Sequence, residues 1–227
     1  MNFSTMPAYT QIFINGALMT LFLSVVSVLI GTVIGFMLTL GRLSKRKWLS
    51  FLVQQYLDVF RGTPLILQIT ILYFGLPQIG VSLPTIPGIP DSKAIIAGII
   101  AISLNSSAYI AEIFRGGIQS MDRGQVEAAA SLGMTSRQVM LKVTLPQTLR
   151  RTLPAIFNEF ISLTKETAIV SVIGLRDLMF SANIIRATTY LYFEPLLIIG
   201  VIYFILSKIL TRILKVLERR MQVNDQS

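Results

Sequence analysis

The chain has 227 residues, of which 53% are hydrophobic and only 14% are charged, and its mean hydropathy is +0.68. Soluble domains carry about 25% charged residues, so this composition excludes an ordinary soluble domain. The net charge is +9, and the absence of cysteine and histidine excludes disulfides, thiol chemistry and the usual transition-metal ligands. No metal site is therefore predicted.

Five apolar runs are long enough to cross a bilayer, for which a helix needs ~20 residues. They cover approximately residues 16–40, 51–79, 94–113, 153–175 and 195–210. The second run is interrupted by Asp58, Arg61 and Pro64, and the fourth contains three ionisable residues. The sequence predicts an all-α integral membrane protein with five transmembrane helices, forming one domain over residues 1–227.

The distribution of basic residues predicts the topology. Residues 42–47 hold four Lys/Arg, residues 115–151 hold six and residues 208–220 hold five, whereas the opposite side has three. Because cytoplasmic loops carry the excess of Lys and Arg, the N-terminus is expected outside and the C-terminus inside. The net charge is explained by this asymmetry, and binding of nucleic acid is not expected.

The segments assigned to the outer side have their own signals. Residues 1–15 lack the basic region of a signal peptide, so the first apolar run is expected to remain as a helix. Residues 79–90 hold three prolines and two glycines and predict an external turn. Residues 176–193 are expected to form a short amphipathic piece.

Pro64 blocks the helical hydrogen bond to residue 60, so the second span is expected to bend or to begin there. Arg61 lies three residues after Asp58, a spacing at which the two can pair on one helix face. Glu112, at the inner end of the third span, is expected to pair with arginines of the neighbouring loops.

The long polar loop, approximately residues 115–152, carries signals for an ordered structure. Helix-forming residues from Glu127 to Leu132 precede Gly133, which suits a left-handed residue at a helix C-terminus. Thr135 and Gln138 have the spacing of a capping box, so a second helix should begin there and run toward Pro146. This pattern fits either a surface that contacts a partner or a loop that only packs on the neighbouring helix ends.

The spacing within this loop resembles the signature of ABC importer permeases. Glu127-Ala128-Ala129 is followed by Gly133 and, after nine further residues, by Val143-Thr144-Leu145-Pro146, with Val at a position where the family has Ile. Four further stretches are similar to the branch of that family for polar amino acids: residues 60–68, 105–112, 158–163 and 165–167. The resemblance extends from about residue 10 to residue 220.

The resemblance implies a type I ABC importer-like transmembrane subunit that pairs with itself or with a close relative. Its loop at Glu127, Ala128, Ala129 and Gly133 would dock on a dimer of ATP-binding cassette ATPases. The chain has no G-x-x-x-x-G-K-S/T sequence, so ATP and Mg²⁺ would be bound and ATP hydrolysed by that partner, with no cofactor in this chain. An extracytoplasmic substrate-binding protein and a location in the prokaryotic cell membrane are implied as well.

Polar residues inside the predicted spans are candidates for the translocation path, because ionisable groups at membrane depth face a cavity or one another. Glu159, Ser162 and Glu166 share one face of a helix, and Glu166 lies ~18 Å from Pro154, near mid-membrane. Lys165 is expected to face a neighbouring helix.

A zwitterionic amino acid needs acceptors for its ammonium group and donors for its carboxylate. Glu159 or Glu166 could provide the acceptors, and Gln68 and Asn105 the donors. The alternative is that Glu159 pairs with Lys165 or Glu166, or that these residues hold a dimer together.

Two other functions fit parts of the pattern. In a secondary transporter driven by an ion gradient, the membrane carboxylates would be the ion sites. Such folds usually show paired repeats of spans, and five spans without an internal repeat do not divide evenly. A membrane scaffold without transport activity is disfavoured by the buried charges.

Overall fold

The computed structural model describes residues 3–224, and within that range it is helical with no β-strand. The prediction of an all-α fold is confirmed. After a 3-10 turn at Met6–Tyr9, the elements are α1 (Thr10–Arg42), α2 (Lys47–Gly62), α3 (Leu65–Thr70), a π turn (Ile71–Gly75), α4 (Leu76–Gln78), α5 (Ser92–Gln119), α6 (Arg123–Ser131), α7 (Ser136–Val139), a second π turn (Met140–Thr144), α8 (Leu145–Glu166), a 3-10 segment (Thr167–Ile173), α9 (Leu178–Thr189) and α10 (Phe193–Asn224).

Helices α1 and α5 form the centre of the fold, because small residues let their backbones approach closely. A Cβ atom on Gly35 would lie 2.8 Å from the carbonyl oxygen of Ser107, and one on Gly31 would lie 3.2 Å from Ser106 Oγ. The hydroxyl of Thr39 also donates to the carbonyl oxygen of Ala111 at 3.1 Å. Small residues and hydroxyl groups at the contact are typical of helix packing in membranes.

Within residues 3–224, three helices are long and apolar enough to cross a membrane: Met6–Arg42, Ser92–Gln119 and Phe193–Arg219. Two bent helix pairs bring the number of candidate spans to five if each pair counts as one. The structure thus gives three to five candidate spans, and the predicted number of five is reached when each bent pair is counted as one span. The orientation of the two termini stays a prediction.

The second predicted span, residues 51–79, is not one helix. α2 and the helical segment Leu65–Gln78 meet at an angle of 101°. Thr63 has an extended backbone (φ −118°, ψ 144°), as the residue before a proline prefers, and the new helix starts directly after Pro64. We call Thr63 and Pro64 the break.

The fourth predicted span, residues 153–175, also has other limits. α8 begins at Leu145, inside the segment predicted as loop, and continues directly from the π turn before it, with Pro146 in its first turn, where a proline is tolerated. The α-helix ends at Glu166, and a 3-10 segment leads to Gly174 at φ 80°. The polar loop is therefore shorter than predicted, and from here on the name denotes residues 120–144.

The segment after Gly174, which the sequence assigns to the outer side, contains α9, which packs against α1 and α10. One face of α9 is buried, with Leu178, Ser181, Ala182 and Ile185 at helical spacing. The amphipathic character predicted for this segment is confirmed.

Candidate functional site

Gln68, which follows the break, bonds back through its side chain to the end of α2 and to Thr63. Its Nε2 donates to the carbonyl oxygen of Phe60 at 3.0 Å, to that of Thr63 at 3.1 Å and to Thr63 Oγ1 at 2.9 Å. Carbonyls at the end of a helix have no partner within the helix, and burial without one is costly. Gln68 supplies the missing donor from the first turn after the proline.

Asn105 supports the same arrangement from α5. Its Nδ2 donates to the carbonyl oxygen of Phe60 at 3.0 Å and to Gln68 Oε1 at 3.1 Å. The two amides, which the sequence singled out as donors for a substrate, are joined to each other and to the end of α2. A direct contact of either with substrate stays a prediction, and the hydrogen bonds of the structure give both a role in holding the break.

A cavity of about 400 Å³ adjoins the break, which we call the central cavity. Its walls come from the end of α2, the break with the first residue of α3, the middle of α5, and the end of α8 with the 3-10 segment that follows it. The lining residues are Arg61, Gly62, Thr63, Pro64, Leu65, Asn105, Tyr109, Glu166 and Ile169. Ligand sites commonly have volumes of roughly 300–1,000 Å³ with a few polar groups placed among apolar ones, so this cavity has a suitable size and composition.

The predicted site residues are only partly brought together. Asn105 and Glu166 line the central cavity, and Gln68 lies directly behind the break. Glu159, two turns before Glu166 on α8, accepts a hydrogen bond from Ser106 Oγ at 3.3 Å, and Ser162 is half-buried between these two carboxylates. Their assignment to the translocation path remains a prediction.

A larger cavity, of about 650 Å³, lies between α1, α8 and the end of α10. Its lining is apolar except for Thr32 and Arg150. It offers no opposing polar groups for a zwitterion, and the central cavity is therefore the better candidate for a polar substrate.

Glu112 receives three guanidinium groups at the end of α5. Arg42 Nη1 contacts Oε1, Arg61 Nη1 lies 3.2 Å from the same oxygen, and Arg115 Nε donates to Oε2 at 2.6 Å. We call these four residues the charge cluster. The predicted pairing of Glu112 with Arg42 and Arg115 is confirmed, although both arginines lie in helices, at the end of α1 and within α5, and not in loops.

The pairing of Arg61 with Asp58 was predicted wrongly. Asp58 instead accepts a hydrogen bond from Gln54 Nε2 at 2.7 Å, one helical turn earlier. The spacing of residues 58 and 61 allowed the pair, but α2 crosses α5 in the fold and brings Arg61 within reach of Glu112.

The polar loop has the local structure that its sequence predicts. Asp122 caps α6 by accepting from the backbone N–H of Gly124 at 2.8 Å. At the other end, Gly133 is left-handed (φ 79°), its N–H donates to the carbonyl of Ala130, and that of Met134 donates to the carbonyl of Ala129. These are the two hydrogen bonds of a Schellman motif.

The capping box at the start of α7 is also present. Thr135 Oγ1 accepts from the backbone N–H of Gln138, and Gln138 Oε1 accepts from that of Thr135 at 2.8 Å. The prediction of a short helix, a glycine stop and a new helix is confirmed.

The polar loop is firmly attached to the helices on either side. Gln147 Nε2 donates to Gln125 Oε1 at 2.7 Å, and Arg151 Nη1 donates to the carbonyl oxygen of Ser120 at 2.8 Å. Behind it, α5 and α8 touch where a Cβ atom on Gly117 would overlap the methyl group of Thr152. These contacts join the polar loop to α8, which carries Glu166.

The face of α6 that points away from the rest of the protein is exposed to solvent. Glu127 and Ala128 are exposed, and Ala129 is buried against the protein. Leu132 is 84% exposed, and sequence reasoning did not single it out. The sequence does carry a signal for it: a large apolar residue stands directly before the glycine that ends the helix, where its side chain is not expected to be buried.

No group of three or more Asp, Glu, Cys or His that could hold a metal ion is found among residues 3–224.

The chain belongs to the family described as binding-protein-dependent transport system inner membrane component, whose model matches residues 31–223. It is 43% identical to the arginine transport system permease protein ArtQ of Bacillus subtilis, over 99% of both chains. It is 40% identical to a putative glutamine transport system permease protein GlnP of Rickettsia conorii, over 95% of this chain and 96% of that one.

Among solved structures, an amino acid ABC transporter crystallised with histidines matches with a TM-score of 0.90 and 45% identity, over 97% of this chain and 99% of that one. The MetNI methionine ABC transporter matches at a TM-score of 0.68 with 20% identity, over 96% and 99% of the two chains, and supports the fold alone. The type I ABC importer-like fold expected from the sequence is thereby confirmed.

Proposed function

We propose that this chain is the permease subunit of an ATP-driven importer for a polar amino acid in the cell membrane of a prokaryote. It forms the translocation path with a second permease copy, receives substrate from an extracytoplasmic binding protein and is driven by a dimer of ATP-binding cassette ATPases. The relatives described as arginine and glutamine permeases support the choice of substrate class.

One observation carries the proposal: a capped, exposed loop is joined through α5 and α8 to a polar cavity in the centre of the chain. The loop has the exposed surface that a partner requires, and the cavity has the polar groups that a small zwitterion requires. The chain has no phosphate-binding loop, so in this proposal ATP hydrolysis by a partner at this contact supplies the energy for moving between inward- and outward-open states.

Within the central cavity, Glu166 is the candidate acceptor for the substrate ammonium group. Glu159 is the candidate for selectivity toward cationic side chains, because it lies on the same face two turns away. Glu159→Gln should then lower uptake of cationic amino acids more than that of neutral ones. Equal uptake of both classes by the variant and the wild type would leave Glu159 with a structural role.

The decisive experiment is uptake of labelled arginine and glutamine by proteoliposomes that contain the permease, its ATPase and its binding protein. We expect uptake that requires ATP in the compartment facing the ATPase and that continues after ion gradients are collapsed. Uptake that follows a proton or sodium gradient without ATP would instead establish a secondary transporter.

Glu127→Lys tests the loop in the same system. We expect uptake to fall to a few per cent because a reversed charge faces the ATPase, while membrane insertion and folding are unchanged. Arg123→Gln, on the same exposed helix, serves as a control for loss of a loop charge. Normal uptake by Glu127→Lys would remove the loop from the coupling mechanism.

A further inference from the structure

The charge cluster carries more positive than negative charge. One carboxylate, Glu112, faces three guanidinium groups, so the four side chains together bear a net charge of +2. Arg42 and Arg61 compete for the same oxygen, Oε1. Arg115 has the other oxygen to itself and also donates to Gln119 Oε1 at 2.6 Å. Glu112 therefore keeps two strong partners if Arg61 leaves.

Arg61 differs from the other two arginines in several ways. Its contact with Glu112, at 3.2 Å, is the longest of the three, and its side chain is the most exposed, at 42% against 25% for Arg42 and 33% for Arg115. Of these three arginines, Arg61 alone lines the central cavity, and its guanidinium carbon lies 5.9 Å from the centre of the Tyr109 ring.

The central cavity thus holds one basic and one acidic side chain, Arg61 and Glu166, contributed by different helices. An α-amino acid has the complementary pair of charges on its own backbone. A guanidinium group binds a carboxylate through two parallel hydrogen bonds, a geometry that the shared contact with Glu112 leaves unused.

We propose that Arg61 moves from Glu112 to the α-carboxylate of the amino acid in the central cavity, with Glu166 facing the ammonium group. The proposal rests on the proposed function, since it names the group that recognises the carboxylate of that substrate. Recognition of the part common to all amino acids is thereby separated from recognition of the side chain. The exchange also loosens the tie between the end of α2 and α5 when substrate is present.

The competing explanation is that Arg61 only fastens α2 to α5 through Glu112. The two roles differ in one measurable respect. A fastening residue affects every ligand of the cavity equally, whereas a residue that binds the carboxylate affects only ligands that have one.

The test measures binding of L-arginine and L-glutamine, and of their α-amides, to the purified permease–ATPase complex without the binding protein. Each amide keeps the side chain and the ammonium group but lacks the carboxylate. At about pH 6 the amino groups are charged, so the pair of ligands differs only at the carboxylate. For Arg61→Gln we expect affinity for the amino acids to fall about tenfold or more, as for loss of a charge-assisted hydrogen bond. Affinity for the amides should change less than about twofold.

Arg115→Gln is the matched control, because it removes one guanidinium from Glu112 without altering the cavity lining. It should leave the affinity for the amides unchanged and, because Glu112 then holds Arg61 more strongly, lower the affinity for the acids by less than Arg61→Gln does. Arg61→Lys keeps the positive charge but not the planar pair of donors, and we expect the same selective loss at smaller size. Thermal denaturation of each variant shows whether it folds, and if Arg61→Gln does not, Arg61→Lys carries the test.

The proposal is overturned if Arg61→Gln or Arg61→Lys weakens acid and amide equally, or weakens neither. This result leaves the proposed function intact as long as the wild-type complex binds an amino acid and transports it with ATP. If the wild type binds none of a panel of amino acids, the proposed substrate class is wrong, and so is the proposal that Arg61 binds the α-carboxylate.

Discussion

The polar loop and the break are both interruptions in a helical chain, and they are stabilised in opposite ways. In the loop, each helix end is completed by residues a few positions away, such as Asp122, Gly133 and Thr135. At the break, the end of α2 is completed by Gln68 from the next helix and by Asn105, 45 residues from the Phe60 carbonyl that it binds. An interruption with local caps is ordered without help from distant residues, whereas the break depends on partners that the fold supplies from another helix.

The largest expected effect comes from removing both amides at the break. Gln68→Leu combined with Asn105→Leu leaves the carbonyls of Phe60 and Thr63 without these donors. An unsatisfied buried group costs about 1–3 kcal/mol, and since these two carbonyls are only part-buried we expect the lower half of that range for each, or roughly 2–4 kcal/mol in the free energy of unfolding. Denaturation in detergent measures it, and the two single variants show whether the effects couple.

Thr70→Val is the control for this pair, because its hydroxyl bonds only to the carbonyl of Ile66 in its own helix. It should be close to neutral. A double variant that is as stable as this control would show that the break does not need the amides, and would leave contact with substrate as the role proposed for Gln68 and Asn105.

An intermediate effect is expected where the polar loop is attached. Gly117→Ala places a methyl group against Thr152 and Thr148, and such overpacking costs about 1–3 kcal/mol. Gly116→Ala, one residue earlier, meets nothing within 4 Å and should stabilise the helix slightly. We expect Gly117→Ala to lower ATP-driven uptake more than its loss of stability explains. Equal uptake by both variants would argue against transmission through this contact.

The smallest effect is expected at the glycine stop of α6. Gly133→Ala forces a side chain into a left-handed conformation, at a cost of about 1–2 kcal/mol. Gly133→Asn should cost less, because asparagine adopts that conformation more readily. Thermal denaturation, together with retention of the ATPase on the purified permease, compares the two. If both variants lose stability or ATPase retention to the same extent, position 133 must be without a side chain, and the positive φ alone does not explain the glycine.

The local structure of the polar loop could be predicted because its signals act within a few residues. The capping box at Thr135 and the left-handed Gly133 need no information from elsewhere in the chain. The position of Pro64 likewise predicted where the second span bends. The size of the bend, 101°, could not be predicted, because it depends on how the helices on both sides pack against α5.

The candidate site was predictable in part. The rarity of ionisable residues in apolar runs pointed to Glu159 and Glu166, and the structure places Glu166 on the central cavity. Arg61 was misassigned because residue spacing favours partners on the same helix, and Glu112 lies on another. The role of Gln68 and Asn105 at the break depends on a contact between distant segments, which no local pattern encodes.

The sequence by itself determined that this is a helical membrane protein with an ordered polar loop, because apolar length, charge distribution and helix caps are properties of short stretches. Only the tertiary structure decided which polar residues share a cavity and which of them complete the backbone at the break. That division has a physical reason: a buried charge or carbonyl must find a partner wherever the fold supplies one, and the nearest partner in space is often far away in the chain.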